Sequence, residues 1–213
     1  MTNEVKKFNE QQMKQIQLGL KEGLDTSIYA NIDFNAYQME EIRLGLKEGL
    51  DVSIYGDPKF YSHQMKEIRL GLKNGLDVSI YADPKFINHQ MKVIRFGLEE
   101  GVDVSIYADP KFYDDQMEQI YLGLCHGIDI TKYKNNKYDW QQMRDIRLTL
   151  EKEKVYQKYG LKVKEGPDIL GIIEYISDKN PTILNTYKGY LENKNLSYEQ
   201  IYGILKAIAR SLD

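Results

Sequence analysis

The chain has 213 residues, 29% of them charged and 42% hydrophobic, with a formal net charge of −3 at pH 7. That balance excludes a disordered polyelectrolyte and argues against a dedicated nucleic-acid binder, which would carry a basic excess. No apolar run approaches the ~18 residues of a membrane span, the opening MTNEVKKFNE lacks a signal-peptide core, and the single cysteine, Cys125, leaves no internal disulfide and points to a reducing, cytoplasmic setting.

From Phe8 onward the chain repeats itself. Methionine recurs at Met13, Met39, Met65, Met91, Met117 and Met143, every 26 residues. An aromatic stands five residues before each: Phe8, Phe34, Phe60, Phe86, Phe112 and Tyr138. A tyrosine closes each copy: Tyr29, Tyr55, Tyr81, Tyr107, Tyr133 and Tyr159. A fixed period of this size marks a stacked repeat architecture.

Each repeat opens on a helix, written HQMKEIRLGLKNG in the third copy. Met65, Ile68 and Leu72 fall at i, i+3 and i+7, one helical face. Ser62, Asn88, Asp114 and Asp139 are suited to cap the helix starts. Gly23, Gly49, Gly75, Gly101 and Gly127 stand where a left-handed residue would end them. The second half, LDVSIYADPKF, predicts a short helical turn begun by Asp25, Asp51, Asp77, Asp103 or Asp129. Asp-Pro at 57–58, 83–84 and 109–110 then ends it, because a residue before proline avoids the α region. No run alternates with period two, so strands are not expected. The fold expected is an all-α solenoid of six repeats over residues 1–159, one long and one short helix each.

A three-turn helix is marginal alone in water, so stacking must supply its stability. Glycine inside each long helix, at Gly19, Gly45, Gly71, Gly97 and Gly123, costs roughly 1 kcal/mol relative to alanine. Close approach of a neighbouring backbone is the expected compensation. The sixth copy loses both glycines, to Thr149 and Glu153, and its helix is expected to run on through LEKEKVYQKYG. Residues 160–213 predict three amphipathic helices, with Pro167 and Pro181 in first turns and Ser197 and Gln200 in capping-box spacing. They fit a terminal cap or a small appended domain.

Little of this points to chemistry. His63 and His89 are repeat-equivalent, but no third ligand accompanies them and structural zinc needs four. Cys125 and His126 are adjacent along a helix and so diverge by about 100°; they make no nucleophile–base pair. The Asp-Val-Ser aspartates lack a calcium loop's ligand series. No catalytic residue, metal or cofactor is expected. Arg43, Arg69, Arg95 and Arg147 form a ladder, begun by Gln17 and interrupted by Tyr121. Their stems are expected to pack beside the methionine face while the guanidinium reaches a carboxylate or carbonyl of the next repeat; a phosphate-binding row is the alternative. Gly45, Gly71 and Gly97 belong to the same structural ladder. A second apolar row, Leu44, Leu70, Phe96 and Leu122, continued at Leu18 and Leu148, is either a second packing face or an exposed ridge for a partner.

QMKEIRLGLKNGLDVSIYADPKF is similar to a 26-residue helical repeat found in bacterial proteins, many of them associated with phages and mobile elements. The likeness covers residues 8–159 and rests on Gln-Met, Ile-Arg, Gly-Leu and Asp-Val-Ser-x-Tyr-Ala-Asp-Pro-x-Phe. It implies an interaction module, and a phage or mobile-element inhibitor of a bacterial defence such as CRISPR, whose partner would be an immune effector. The function expected is non-enzymatic protein binding. An enzymatic or ligand-binding role in residues 160–213 is one alternative, and nucleic-acid binding, should the lysines cluster, is another.

Overall fold

The structure, a computed structural model, describes residues 7–158, 170–192, 196 and 198–212. Among these there are nine α-helices, five three-residue 3-10 turns and no strand. The first five helices are α1 (Glu10–Lys21), α2 (Ala36–Lys47), α3 (Ser62–Lys73), α4 (Asn88–Glu99) and α5 (Asp114–Cys125). Then come α6 (Trp140–Lys158), α7 (Leu170–Lys179), α8 (Pro181–Glu192) and α9 (Tyr198–Arg210). The 3-10 turns, Thr26–Ile28, Val52–Ile54, Val78–Ile80, Val104–Ile106 and Ile130–Lys132, follow the first five helices in order. The fold is thus all-α, with one long and one very short helix per repeat.

The chain divides into two compact bodies, Met1–Cys125 and His126–Asp213. The division expected at 159/160 lies outside the described residues, as do the closing Tyr159 and the capping residues Pro167 and Ser197.

In the first body α1 to α5 pack in series, each against the next. Met39, Ile42, Met65, Ile68, Met91, Ile94, Met117 and Ile120 are fully buried. Met13, on the helix with no earlier described repeat against it, is 39% exposed. The same residue type is dry only where a neighbour covers it, as stacking of individually marginal helices requires.

The helix ends follow from local chemistry. At the far end of α2, Gly49 adopts φ +71°, which a side chain would make costly. This lets Leu50 N–H reach the Gly45 carbonyl and Gly49 N–H the Leu46 carbonyl, a Schellman closure. Asp51 then accepts Ser53 N–H at 3.0 Å and starts the 3-10 turn; Asp25, Asp77, Asp103 and Asp129 do the same. Asp57 accepts Lys59 N–H at 2.9 Å, turning the chain into the next repeat.

The helix starts lie one residue earlier than Ser62 and Asn88 imply. The capping positions are Asn9, Asn35, Tyr61 and Ile87, so Ser62 and Asn88 are first helical residues; Asp114 likewise begins α5. The reason is the glutamine three residues on. Gln64 Oε1 accepts Tyr61 N–H at 2.6 Å and so fixes where α3 begins. Asp139 is correctly placed: it accepts Gln142 N–H at 2.8 Å ahead of α6.

In the second body α6 runs unbroken to Lys158, as the loss of both glycines implies. Its Tyr156 is buried with Ile173, Ile176, Leu184, Leu205 and Ile208 of α7, α8 and α9. The last turns of α6 therefore belong to the core of the C-terminal helices.

Candidate functional site

Three sets of side chains recur at the stacked interfaces. The first is a glutamine clamp. Gln38 accepts Asn35 N–H at 2.7 Å and donates to the Phe60 carbonyl of the next repeat at 2.6 Å. Gln12, Gln64 and Gln90 repeat both bonds, to Phe34, Phe86 and Phe112. All four glutamines are at most 5% exposed. A buried amide must satisfy both ends; this one does so by joining its own helix start to the following repeat. Sequence reasoning assigns the glutamines no role, although Gln precedes every one of the six methionines. That invariance was the available signal.

The second set explains the mid-helix glycines. A Cβ on Gly45 would lie 1.9 Å from the Tyr55 hydroxyl, and one on Gly71 2.0 Å from that of Tyr81; Gly19 and Gly97 face Tyr29 and Tyr107 in the same way. The close neighbour is therefore a tyrosine side chain of the same repeat, not an adjacent backbone. Tyr55 donates to the Glu41 carbonyl at 3.2 Å and Tyr81 to that of Glu67 at 3.2 Å. These four tyrosines are fully buried. Burial raises the pKa of each phenol, and that of Tyr133 to about 12. In α6, where Thr149 replaces the glycine, its hydroxyl donates to the Asp145 carbonyl at 2.8 Å.

The third set is the arginine ladder. Arg69 donates to Glu41 at 2.8 Å and Glu48 at 2.9 Å, both in the preceding repeat rather than the next. Arg43 reaches Gln15 at 3.0 Å and Glu22 at 2.7 Å. Lys47 and Lys73 bind the outer oxygens of Glu22 and Glu48; those lysines first, then the arginines, hold both carboxylates below their ordinary pKa. Asn74 occupies the position of Glu48, and there the next repeat compensates. Glu99 replaces the lysine, binding Arg95 at 2.6 Å and the Asn74 amide at 2.7 Å. His126 and Glu151 show the same exchange: Glu151 meets the His126 ring at 2.7 Å and Arg147 at 2.5 Å.

The second apolar row divides between packing and solvent. Leu18, Leu44, Leu70 and Leu122 are half-buried. Phe96 is 39% exposed, with the guanidinium of Arg95 4.7 Å and the Lys92 ammonium 5.5 Å from its ring centre. His63 and His89 are exposed. Among the described residues no three His, Cys, Asp or Glu side chains converge to hold a metal.

A different exposed row stands out at the helix starts. The capping position is Asn9, Asn35 and Asp139 in the first, second and sixth repeats, but Tyr61, Ile87 and Tyr113 in the third, fourth and fifth. These three are 76%, 49% and 74% exposed. Asn35 caps α2 by accepting Tyr37 and Gln38 N–H, whereas α3 and α4 have no side-chain cap. The row became legible only once the helix register was known. No protein-family model, curated protein or solved structure matches the chain.

Proposed function

We propose that the chain is a non-enzymatic protein-binding repeat module that meets its partner along the Tyr61–Ile87–Tyr113 edge. One observation carries this reading. At three consecutive helix starts a polar cap worth about 1 kcal/mol is exchanged for a large apolar side chain left in solvent. In return α3 and α4 have no side-chain cap, and a local rule broken in this way marks a functional surface. Tyrosine suits such a surface, with large contact area and few rotors to freeze. The clamped array holds the three side chains at fixed spacing, which lowers the ordering cost of docking. Likeness to repeats of phage and mobile-element proteins makes a bacterial immune effector the first class of partner to try.

The test is the variant Tyr61→Asn, Ile87→Asn, Tyr113→Asn, which restores the caps. Its melting temperature should rise above that of the unaltered chain, and a protein captured from bacterial lysate by the unaltered chain should no longer be retained. A lower melting temperature would make the row structural and end this reading.

A further inference from the structure

At one rung of the ladder the cations are missing while their carboxylate remains. Glu22 and Glu48, each at the end of its helix, hold two cations apiece: Arg43 with Lys47, and Arg69 with Lys73. Glu100 occupies the same position after α4. There α5 offers Tyr121 in place of the arginine and Cys125 in place of the lysine, and the inner carboxylate of Glu41 and Glu67 is replaced by Val93. The internal salt bridge has thus been dismantled, yet the outer carboxylate is kept. Glu100 is exposed and forms no ion pair among the described residues.

Space is present as well as charge. A cleft of about 400 Å³ opens at this rung, lined by Glu100, Asp103, Leu124 and Cys125 among others. Cysteine is shorter than the lysine it replaces, so Cys125 does not span the rung to the glutamate as Lys47 and Lys73 do. Asp103 gives one oxygen to the Ser105 N–H and hydroxyl; its other oxygen has no partner among the described residues. Two carboxylates with Leu124 in the same lining match a cationic head on an aliphatic stem. The same chain shows the match being made: the equivalent glutamates bind such heads at 2.7–2.9 Å.

We propose that the α4–α5 rung is a receptor for a lysine or arginine side chain carried by a protein partner, which completes the broken ladder from outside. The cleft lies at the C-terminal ends of α4 and α5, whereas Tyr61, Ile87 and Tyr113 lie at helix starts, so the two surfaces are tested separately.

The full chain, isotope-labelled, is titrated with a pentapeptide bearing one arginine or lysine, and with a glutamate-bearing peptide as control. Backbone signals of Glu100, Tyr121 and Cys125 should shift with the basic peptides alone, and less as salt is added. Glu100→Gln should weaken that affinity about tenfold or more and leave the melting temperature unchanged, since no internal cation is lost. Tyr121→Arg with Cys125→Lys rebuilds the rung; it should raise the melting temperature and silence the peptide response. The proposal is overturned if the unaltered chain gives no response or if the response survives Glu100→Gln. It is overturned equally if Glu100→Gln lowers the melting temperature as far as Glu48→Gln does, because the carboxylate would then be in use inside the fold. Should the double variant not fold, the Glu100→Gln comparison decides alone.

Discussion

The glycine inside each long helix shows how a single absent methyl group organises a repeat. Alanine at Gly71 should gain about 1 kcal/mol from helix propensity. Its Cβ would sit 2.0 Å from the Tyr81 hydroxyl and 2.8 Å from a Val78 methyl, and overpacking of this kind costs ~1–3 kcal/mol. Gly71→Ala should therefore destabilise despite its propensity gain, by up to about 2 kcal/mol in urea denaturation. Tyr81→Phe removes the oxygen, so Gly71→Ala should cost at least ~0.5 kcal/mol less in that background. Additive effects would show that the tyrosine is not what the notch accommodates. That each glycine answers to something was legible from its cost. Which residue it answers to was not, because Gly71 and Tyr81 belong to different helices and only their folded juxtaposition pairs them. The arginine partners were half legible in the same sense: a carboxylate or carbonyl of the next repeat was expected, but the direction along the array depends on how side chains lean on a helix.

At the scale of the element, each helix start is set by a glutamine that looks both ways. Replacing Gln64 by leucine would leave the Tyr61 N–H and the Phe86 carbonyl without their partner, a loss of ~2–4 kcal/mol from two unsatisfied groups. Gln64→Glu is the more informative change. An ionised carboxylate can still accept the Tyr61 N–H but opposes the Phe86 oxygen, now 2.5 Å from the amide nitrogen. Protonation restores a donor there, so the introduced group has a raised folded pKa and its penalty fades as pH falls. Melting temperatures of Gln64→Glu and the unaltered chain should converge between neutral pH and pH ~4–5; a constant gap would argue against the clamp. The helices themselves were plain in the sequence, since period, capping aspartates and terminal glycines agree. Their exact starts were not, because Ser62 and Asn88 are good caps by type while the helix obeys the glutamine bond.

At the scale of the whole molecule, the 26-residue period made the architecture legible and the C-terminal core much less so. Tyr156 sits within the decaying sixth repeat, yet it is buried among Ile173, Leu184 and Leu205, contacts that no period announces. The buried tyrosines also give the chain a common response to alkali. Because each folded phenol has a pKa above its unfolded value of about 10, the native state holds those protons more tightly. The resulting stability is complete below pH ~10 and is lost as pH rises through the folded values. Absorbance at 295 nm should show a late tyrosinate step, near or above pH 12, coincident with loss of helical circular dichroism; core tyrosines ionising early with helicity intact would contradict their burial. The exchange of Asn74 with Glu99 bears on the array's history. Copying the second repeat in tandem would be harmless, for Glu48 would greet Lys47 and Arg43 of its duplicate. Excising the third would instead set Glu48 beside Glu99, two like charges contending for one guanidinium. The joints are keyed: such a chain can lengthen by duplication at one seam but not be shortened at another, and the order of its copies is part of its inheritance.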